Sequence, residues 1–554
     1  MTIRKSLFII PLVAIAVITT ACNPGPASNP EDDIPTSEYD SNWTPGENAI
    51  EGAKQPSIKN PVGELSVLNK MRFSQKRNGI PSKGKANILV VPITFKDDDL
   101  IASQTSLDLT FSDSDITKIE NLYFADNADV IETMPSVKSY YEISSYGKLS
   151  LDGVVSPVVS YPTSYYDTLL KVLNSGVEQV RSEIVEYVYN YLFEETQTYY
   201  VGDFDADKDG RVDAISILLN YPYGYIYGED ANESLANLVF AGPNNVGFED
   251  TLVNPETTLV NSYSIISEGL RDNTAEVPVS NLYINLVGHM LGLENLEDTN
   301  ATSSVYARNA FGYKDMMAGA VGDHSAFSKY QLGWIEPKLI TANSLPEEGL
   351  EVSIVDLTTS GDALLLYTGN HSRFGEYLLV DMYHPDTVIN KANTKTVSPY
   401  GVTNFGTRGV RVTKVDARLV RGYSDTFVEY NEEMNFADYK VLPNGEKIKY
   451  VYDYAYTNST KNKYYDCGIT SNYFLACLLS SNGQNRHLTS SAFDFTSTDL
   501  FKAGSVFGAS TQIEGFYKNF RFDGEGTNGP LLNISFEVKE FINNKAKIKL
   551  WREN

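Results

Sequence analysis

The nine residues Asp205-Ala-Asp207-Lys-Asp209-Gly210-Arg-Val-Asp213 place carboxylates at positions 1, 3, 5 and 9 and a glycine at position 6. A hard cation such as calcium needs several oxygens converging on one point. Alternate residues of a tight loop supply them, and glycine allows the sharp turn. Position 12 is Ser216, where an EF-hand has a bidentate glutamate, and an apolar strand follows instead of a helix. The segment reads as an Asp-rich calcium loop of another type. An acidic turn that simply caps a strand is the plainer alternative.

Imidazole chemistry is limited by supply. The chain has 5 histidines, His289, His324, His371, His384 and His487, and 3 cysteines, Cys22, Cys467 and Cys477. A four-thiolate zinc site and a disulfide scaffold are both excluded. One histidine stands in an informative frame, Asn285-Leu286-Val-Gly-His289-Met-Leu-Gly292. In a zinc-peptidase helix, histidines at i and i+4 share one face and bind the metal, and a glutamate after the first histidine is the general base. Here His289 takes the second-histidine slot and Gly292 the turn. The first-histidine slot is Asn285, and the base slot is Leu286.

Several separated segments widen this frame. Ser139-Tyr-Tyr-Glu-Ile-Ser-Ser-Tyr-Gly-Lys-Leu-Ser-Leu-Asp-Gly153, the Asp205–Asp213 loop with its apolar strand, Asn285 to Leu293, Asp315-Met316-Met317 and Gly322-Asp-His324-Ser-Ala-Phe-Ser-Lys329-Tyr-Gln-Leu-Gly-Trp334 follow one another along the chain. In this order they resemble the immune inhibitor A type of secreted bacterial metallopeptidases, with Glu376–Asp381 and Gly409–Leu419 also similar. The resemblance covers most of residues 86–420 and implies a zincin-like fold. It also implies a third zinc ligand, an aspartate, six residues after the second histidine, where this chain has Asn295. Carried over position by position, the metal slots are Asn285, His289 and Asn295, with Leu286 as the base. Zinc prefers imidazole, thiolate or carboxylate, and Leu cannot accept a proton. Zinc is therefore not expected.

His289 is read as a helix residue hydrogen-bonded inside a former cleft, and Met316 and Met317 as core packing. His324 is expected to order its segment; as a substitute ligand it has no support from spacing. Glu294 and Glu297 are the nearby carboxylates that an unconventional site could recruit. Tyr221, Tyr223, Tyr225 and Tyr227 alternate, so an extended segment would present them on one face for a peptide or glycan, or pack them on neighbouring loops. Cys467 and Cys477 could pair after export, or Cys477 could be a core thiol; the sequence does not decide. Three functions follow: a catalytically inactive binding protein, which the missing ligands favour; an active metallopeptidase with unconventional ligands; and an adhesin working through its C-terminal half.

The elements that must position these residues divide the chain. Arg4 and Lys5, the apolar run Leu7–Ile18 and Thr-Thr-Ala before Cys22 make residues 1–22 a signal peptide. Its ending resembles a bacterial lipoprotein signal, which implies lipid on Cys22 and display on the extracellular face of a bacterial membrane, with simple secretion as the alternative. Residues 23–85 are rich in Pro, Gly, Ser, Asn and acid and read as a disordered tether. Residues 86–340 form the metallopeptidase-like domain, with a buried strand at Ala86–Phe95, a helix over Tyr165–Glu194 that Gly176 can split, a buried strand at Val212–Leu219 and a helix over Ser280–Leu291 capped by Ser280. Residues 341–554 carry short alternating runs and read as a β-rich region, a sandwich, giving an α+β fold overall. The 554 residues carry 45 Lys+Arg against 71 Asp+Glu, a formal charge of −26. That balance excludes a nucleic-acid partner, because phosphate binding needs a basic footprint.

Overall fold

The structure is a computed structural model. It describes residues 79–99, 102, 109–126, 135–220, 238, 240–243, 259–267, 279–296, 310–319, 321–367, 376–392, 404–416, 419–427, 439–441, 447–455, 475–482, 495–508 and 532–553, together with the strand fragments 39–40 and 60–61. Cys22, Tyr221, Tyr223, Tyr225, Tyr227, Glu297 and Cys467 lie outside the described residues. The chain is mixed α+β. No helix among the described residues is long and apolar enough to cross a membrane.

The first sheet contains β1 (Gly84–Phe95), β2 (Leu149–Val155), β3 (Val159–Tyr161), β4 (Val212–Leu219), β5 (Phe240–Pro243) and β6 (Val260–Ser267). Its order is β2-β1-β4-β6-β5, with β3 also paired to β1. All pairs are parallel except β5 with β6. Parallel strands are covered on both faces, so their side chains alternate between two cores rather than between core and water. In β1, Ala86, Ile88 and Val90 enter one core and Leu89, Val91, Ile93 and Phe95 the other. The sequence signal for β1 and β4 was accordingly a continuous apolar run.

On the first face lie α1 (Asp113–Phe124), α2 (Val137–Ser144) and, further along the chain, α5 (Val279–Met290). On the second lie α3 (Tyr165–Ser175) and α4 (Val177–Tyr189). The helix expected over Tyr165–Glu194, with a split possible at Gly176, is two helices divided there and followed by a wide turn at Asn190–Glu195. Gly176 makes the break with φ 86°, a left-handed value that suits glycine. The break also ends the hydrophobic register. Leu173, in step with the apolar spacing of Leu169, Val177 and Val180, is 57% exposed, while Leu169 packs inward and Val172 takes the other inward place.

The second half begins earlier than position 341. Strand β7 (Lys338–Thr341) belongs to its five-stranded sheet, parallel to β9 (Ala363–Tyr367). That sheet continues through β10 (Glu376–Tyr383) and β11 (Gly409–Asp416) to β15 (Ala476–Leu479). A second sheet joins β8 (Leu350–Val355), β18 (Lys545–Arg552), β17 (Ile534–Ile542) and β16 (Val506–Phe507). Strands β12 (Leu419–Phe427), β14 (Lys447–Ala455) and β13 (Tyr439–Val441) form a third. Cys477 is buried on β15.

One hydrophobic core runs across the 340/341 boundary. Tyr283, Val287 and Trp334 share it with Leu364, Val380, Phe536 and Ile548. Two short helices at the join, α6 (Met316–Gly319) and α7 (Ala326–Gln331), are wholly buried. The N-terminal limit also moves. Ile80 is buried, and the Trp334 indole donates to the Ser82 carbonyl at 2.7 Å, so packed structure begins ahead of position 86. Within the stretch read as tether, Tyr39–Asp40 pairs antiparallel with Asn60–Pro61.

Candidate functional site

The Asp-rich loop connects to the start of β4. Lys208 and Gly210 take left-handed φ values of 62° and 85°, which fold the chain back within a few residues. Asp205 accepts from the Asp209 and Gly210 N–H groups at 3.0 and 2.9 Å. Asp207 accepts from the Asp209 N–H at 3.1 Å, and Asp209 from the Arg211 N–H at 3.0 Å. Asp205, Asp207 and Asp209 each bring a carboxylate oxygen within 4.8 Å of the others, the one such cluster of three or more metal-ligating residues among those described. All three are oxygen donors, the chemistry that calcium prefers.

Asp213 stands outside that cluster of three. Its side chain is fully buried on β4, and Oδ2 accepts the Ala206 N–H at 2.8 Å, under the loop. Burial, reinforced by the carboxylates of Asp207, Asp205 and Asp209, pushes its pKa up to about 7, against the pull of the Ala206 hydrogen bond. Burial is also the main cause that raises Asp207, with Asp209 next. A cation would reverse the like-charge part of both shifts.

The second set of candidates surrounds α5. This helix starts at Val279, so Ser280 lies in its first turn and is not the N-cap. Gly292 ends the segment at φ 99°. His289 is buried, and its Nδ1 lies 2.9 Å from the Leu293 carbonyl, so that nitrogen carries the proton and donates. The Asn285 amide donates to the Met316 carbonyl at 2.8 Å. Leu286 is buried in the core, while Asn295 and Glu294 are half-buried beyond the helix end. Met316 and Met317 are core residues, as their type suggested. A Cβ on Gly288 would meet the Met317 sulfur at 2.5 Å, so Gly288 lets α5 approach α6 closely.

Sequence reasoning missed the frame behind this helix. The Tyr141 hydroxyl donates to the Ile284 carbonyl at 2.7 Å, and that of Tyr140 to the Gly322 carbonyl at 3.2 Å. Lys329 is fully buried. Its ammonium meets Asp323 at 2.7 Å, the Ser144 carbonyl at 2.8 Å and the Tyr146 hydroxyl at 3.0 Å. Burial lowers its pKa, opposed by Asp323. The other Asp323 oxygen accepts from the Ser144 hydroxyl at 2.5 Å. A second buried pair, Arg411–Asp381 at 2.6 Å, joins β11 to β10. Lys329 and Asp323 belong to one sequence block, but the Ser144 and Tyr146 partners of that block lie far away in sequence, and Asp381 and Arg411 sit on separate strands, so no local pattern announces these contacts.

His324, expected to order its segment, is packed as a ring among aromatic side chains. Neither ring nitrogen has a hydrogen-bond partner among the described residues. The ring packs against Tyr140, Tyr141 and Trp334 at centroid distances of 5.7, 5.9 and 5.8 Å. Burial drives its pKa down to about 3. The folded protein therefore holds it neutral until about pH 3, whereas the unfolded chain protonates it near 6.5. Between these values the unfolded state binds more protons, so stability falls as pH falls, by up to about 1.4 kcal/mol per pH unit. His324→Phe keeps an aromatic ring in the cage and removes the titration. Its acid-unfolding midpoint, followed by far-UV circular dichroism, is expected at lower pH than wild type; an unchanged midpoint would sink this account.

Compared with known proteins, the chain matches no family model and no curated protein.

Proposed function

We propose that this chain is a surface-anchored, metallopeptidase-like lipoprotein that does not hydrolyse peptides and acts by binding a polypeptide, a partner protein or a glycan in its former cleft. One observation carries the reading. The slots where a zinc peptidase needs a histidine and a glutamate hold an amide bonded to the Met316 carbonyl and a leucine packed in the core. Asn285, His289 and Asn295 make a donor set of two neutral amides and one imidazole, which does not fit zinc. Leu286 has no group to take a proton from water. The order of the Ser139–Gly153, Asp205–Asp213, Asn285–Leu293 and Gly322–Trp334 segments along the chain and the Asn285–Met316 contact between α5 and α6 support the zincin-like reading of the first half. The shared core of the two larger C-terminal sheets supports a sandwich in the second. The lipid anchor at Cys22 and the extracellular location rest on the N-terminal sequence.

Calcium is the proposed cation of the Asp205–Asp213 loop, where the oxygen donors fit it. Its part would be structural, tying the loop to the central sheet.

The test is elemental analysis of untagged protein together with a quenched fluorescent protein substrate. Substoichiometric zinc and no chelator-sensitive cleavage are expected. Stoichiometric zinc with cleavage that a chelator abolishes would overturn the reading and favour the unconventional metallopeptidase.

A further inference from the structure

The loop has a neighbour that its own sequence does not reveal. Strand β6 runs parallel to β4 with Val260 opposite Val212 and Ser262 opposite Ala214, so Asn261 and Asp213 sit side by side on adjacent strands. Both side chains are buried, Asn261 at 2% and Asp213 at 0% exposure. The Asn261 amide reaches the cluster, with Nδ2 3.1 Å from Asp209 Oδ2. Its Oδ1 has no hydrogen-bond partner among the described residues, and neither does Asp213 Oδ1. Two buried, unpartnered oxygens beside three converging carboxylates are an expensive arrangement in an ion-free protein.

A cation resolves the arrangement. An asparagine amide can turn over by rotation of its terminal torsion, exchanging nitrogen for oxygen at nearly the same place. Without an ion, the nitrogen is the better neighbour for the Asp209 carboxylate. With an ion, the oxygen can face the same point as that carboxylate and serve as a neutral ligand, as amide carbonyls do in calcium sites.

Resting on the calcium reading above, we propose that Asn261 on β6 is a calcium ligand through its amide oxygen, making the site a joint between the Asp205–Asp209 loop and two strands of the central sheet. Asp213 contributes from β4, under the loop. Calcium would then clamp the loop onto the first residues of the neighbouring strands β4 and β6, which a ligand set confined to one loop would not do.

The experiment titrates the full chain, stripped with chelator, with calcium in a calorimeter, and with terbium for luminescence lifetimes in light and heavy water. Wild type, Asn261→Ala, Asn261→Asp and Asp207→Ala are compared, with melting in chelator as the folding control. Asn261→Ala is expected to weaken calcium by about tenfold and to raise the number of waters on bound terbium, because a lost oxygen ligand is replaced by solvent. Asn261→Asp restores an oxygen and is expected to bind at least as tightly as wild type, and it stands in as the informative variant if the alanine protein does not fold. Asp207→Ala should abolish binding. Wild-type affinity and hydration in Asn261→Ala, with Asp207→Ala inactive, would overturn the role of Asn261 and leave the calcium loop standing. So would an Asn261→Asp protein that folds and binds worse than wild type. No calcium binding in wild type would overturn the loop reading itself.

Discussion

Replacing Lys329 by methionine is expected to cost about 3–5 kcal/mol of stability, a large fraction of what a folded protein normally has. The substitution keeps the apolar stem but removes the ammonium. Asp323 would then be a buried carboxylate without its ion-pair partner, and the Ser144 carbonyl and Tyr146 hydroxyl would each lose a donor. The loss comes chiefly from stranding the charge on Asp323, not from the net value of the pair. The double variant Lys329→Met with Asp323→Leu should therefore recover much of the loss. Urea midpoints and melting temperatures of the two single variants and the double variant provide the check. Additive losses would show that the two groups do not act as a unit.

The second large effect is a gain. Changing Asn285→His, Leu286→Glu and Asn295→Asp together is expected to create a zinc site of micromolar affinity or better, about 8 kcal/mol of binding, against none expected of wild type on the proposed reading. Two imidazoles and a carboxylate form a standard three-ligand set. The background supports it: His289 already points its Nδ1 proton at the Leu293 carbonyl, the kind of second contact that fixes a ligating ring. The glutamate must enter a position now buried in the core, so the triple variant should melt lower than wild type without metal and regain stability with it. Competition with a chromophoric chelator measures the affinity. The glutamate, compared with a double variant retaining Leu286, should be worth roughly 10²–10⁴-fold in any cleavage that appears. A triple variant that folds but takes up no zinc would remove the zincin geometry from the proposal.

Much of the positioning framework was legible in the sequence. The apolar runs of β1 and β4, the helix around His289 and the Asp-rich turn all declare themselves by local composition and period. The helix over Tyr165–Glu194 was legible down to a possible split at Gly176, but a hydrophobic period cannot show that the split turns Leu173 outward. Contacts closed across the chain were not legible. Lys329 and Ser144 gave no sign of each other, and Asn261 looked like any polar strand residue until β6 laid it beside Asp213. His324 was expected to order its segment, but that it does so as a flat ring among three others could not be read from the sequence. In each case the missing information was the sheet order and the packing of distant helices, which set partners that residue type alone does not choose.

The burial of α5 bears on how such a chain can change over generations. From Ser280 to Met290 only Leu282 and Asn285 are even half-buried; every other residue is core. Substitution is thus channelled: Asn285, and Asn295 beyond the helix end, can vary with little harm to the fold, whereas Ile284, Val287 and Met290 cannot. The helix is held in place by its neighbours whatever chemistry it performs. On the proposed reading, metal ligands at Asn285 and Asn295 could be lost or regained with the architecture unaltered, whereas a base at the buried Leu286 could not, and the shape of the helix is a record of packing, not a certificate of activity.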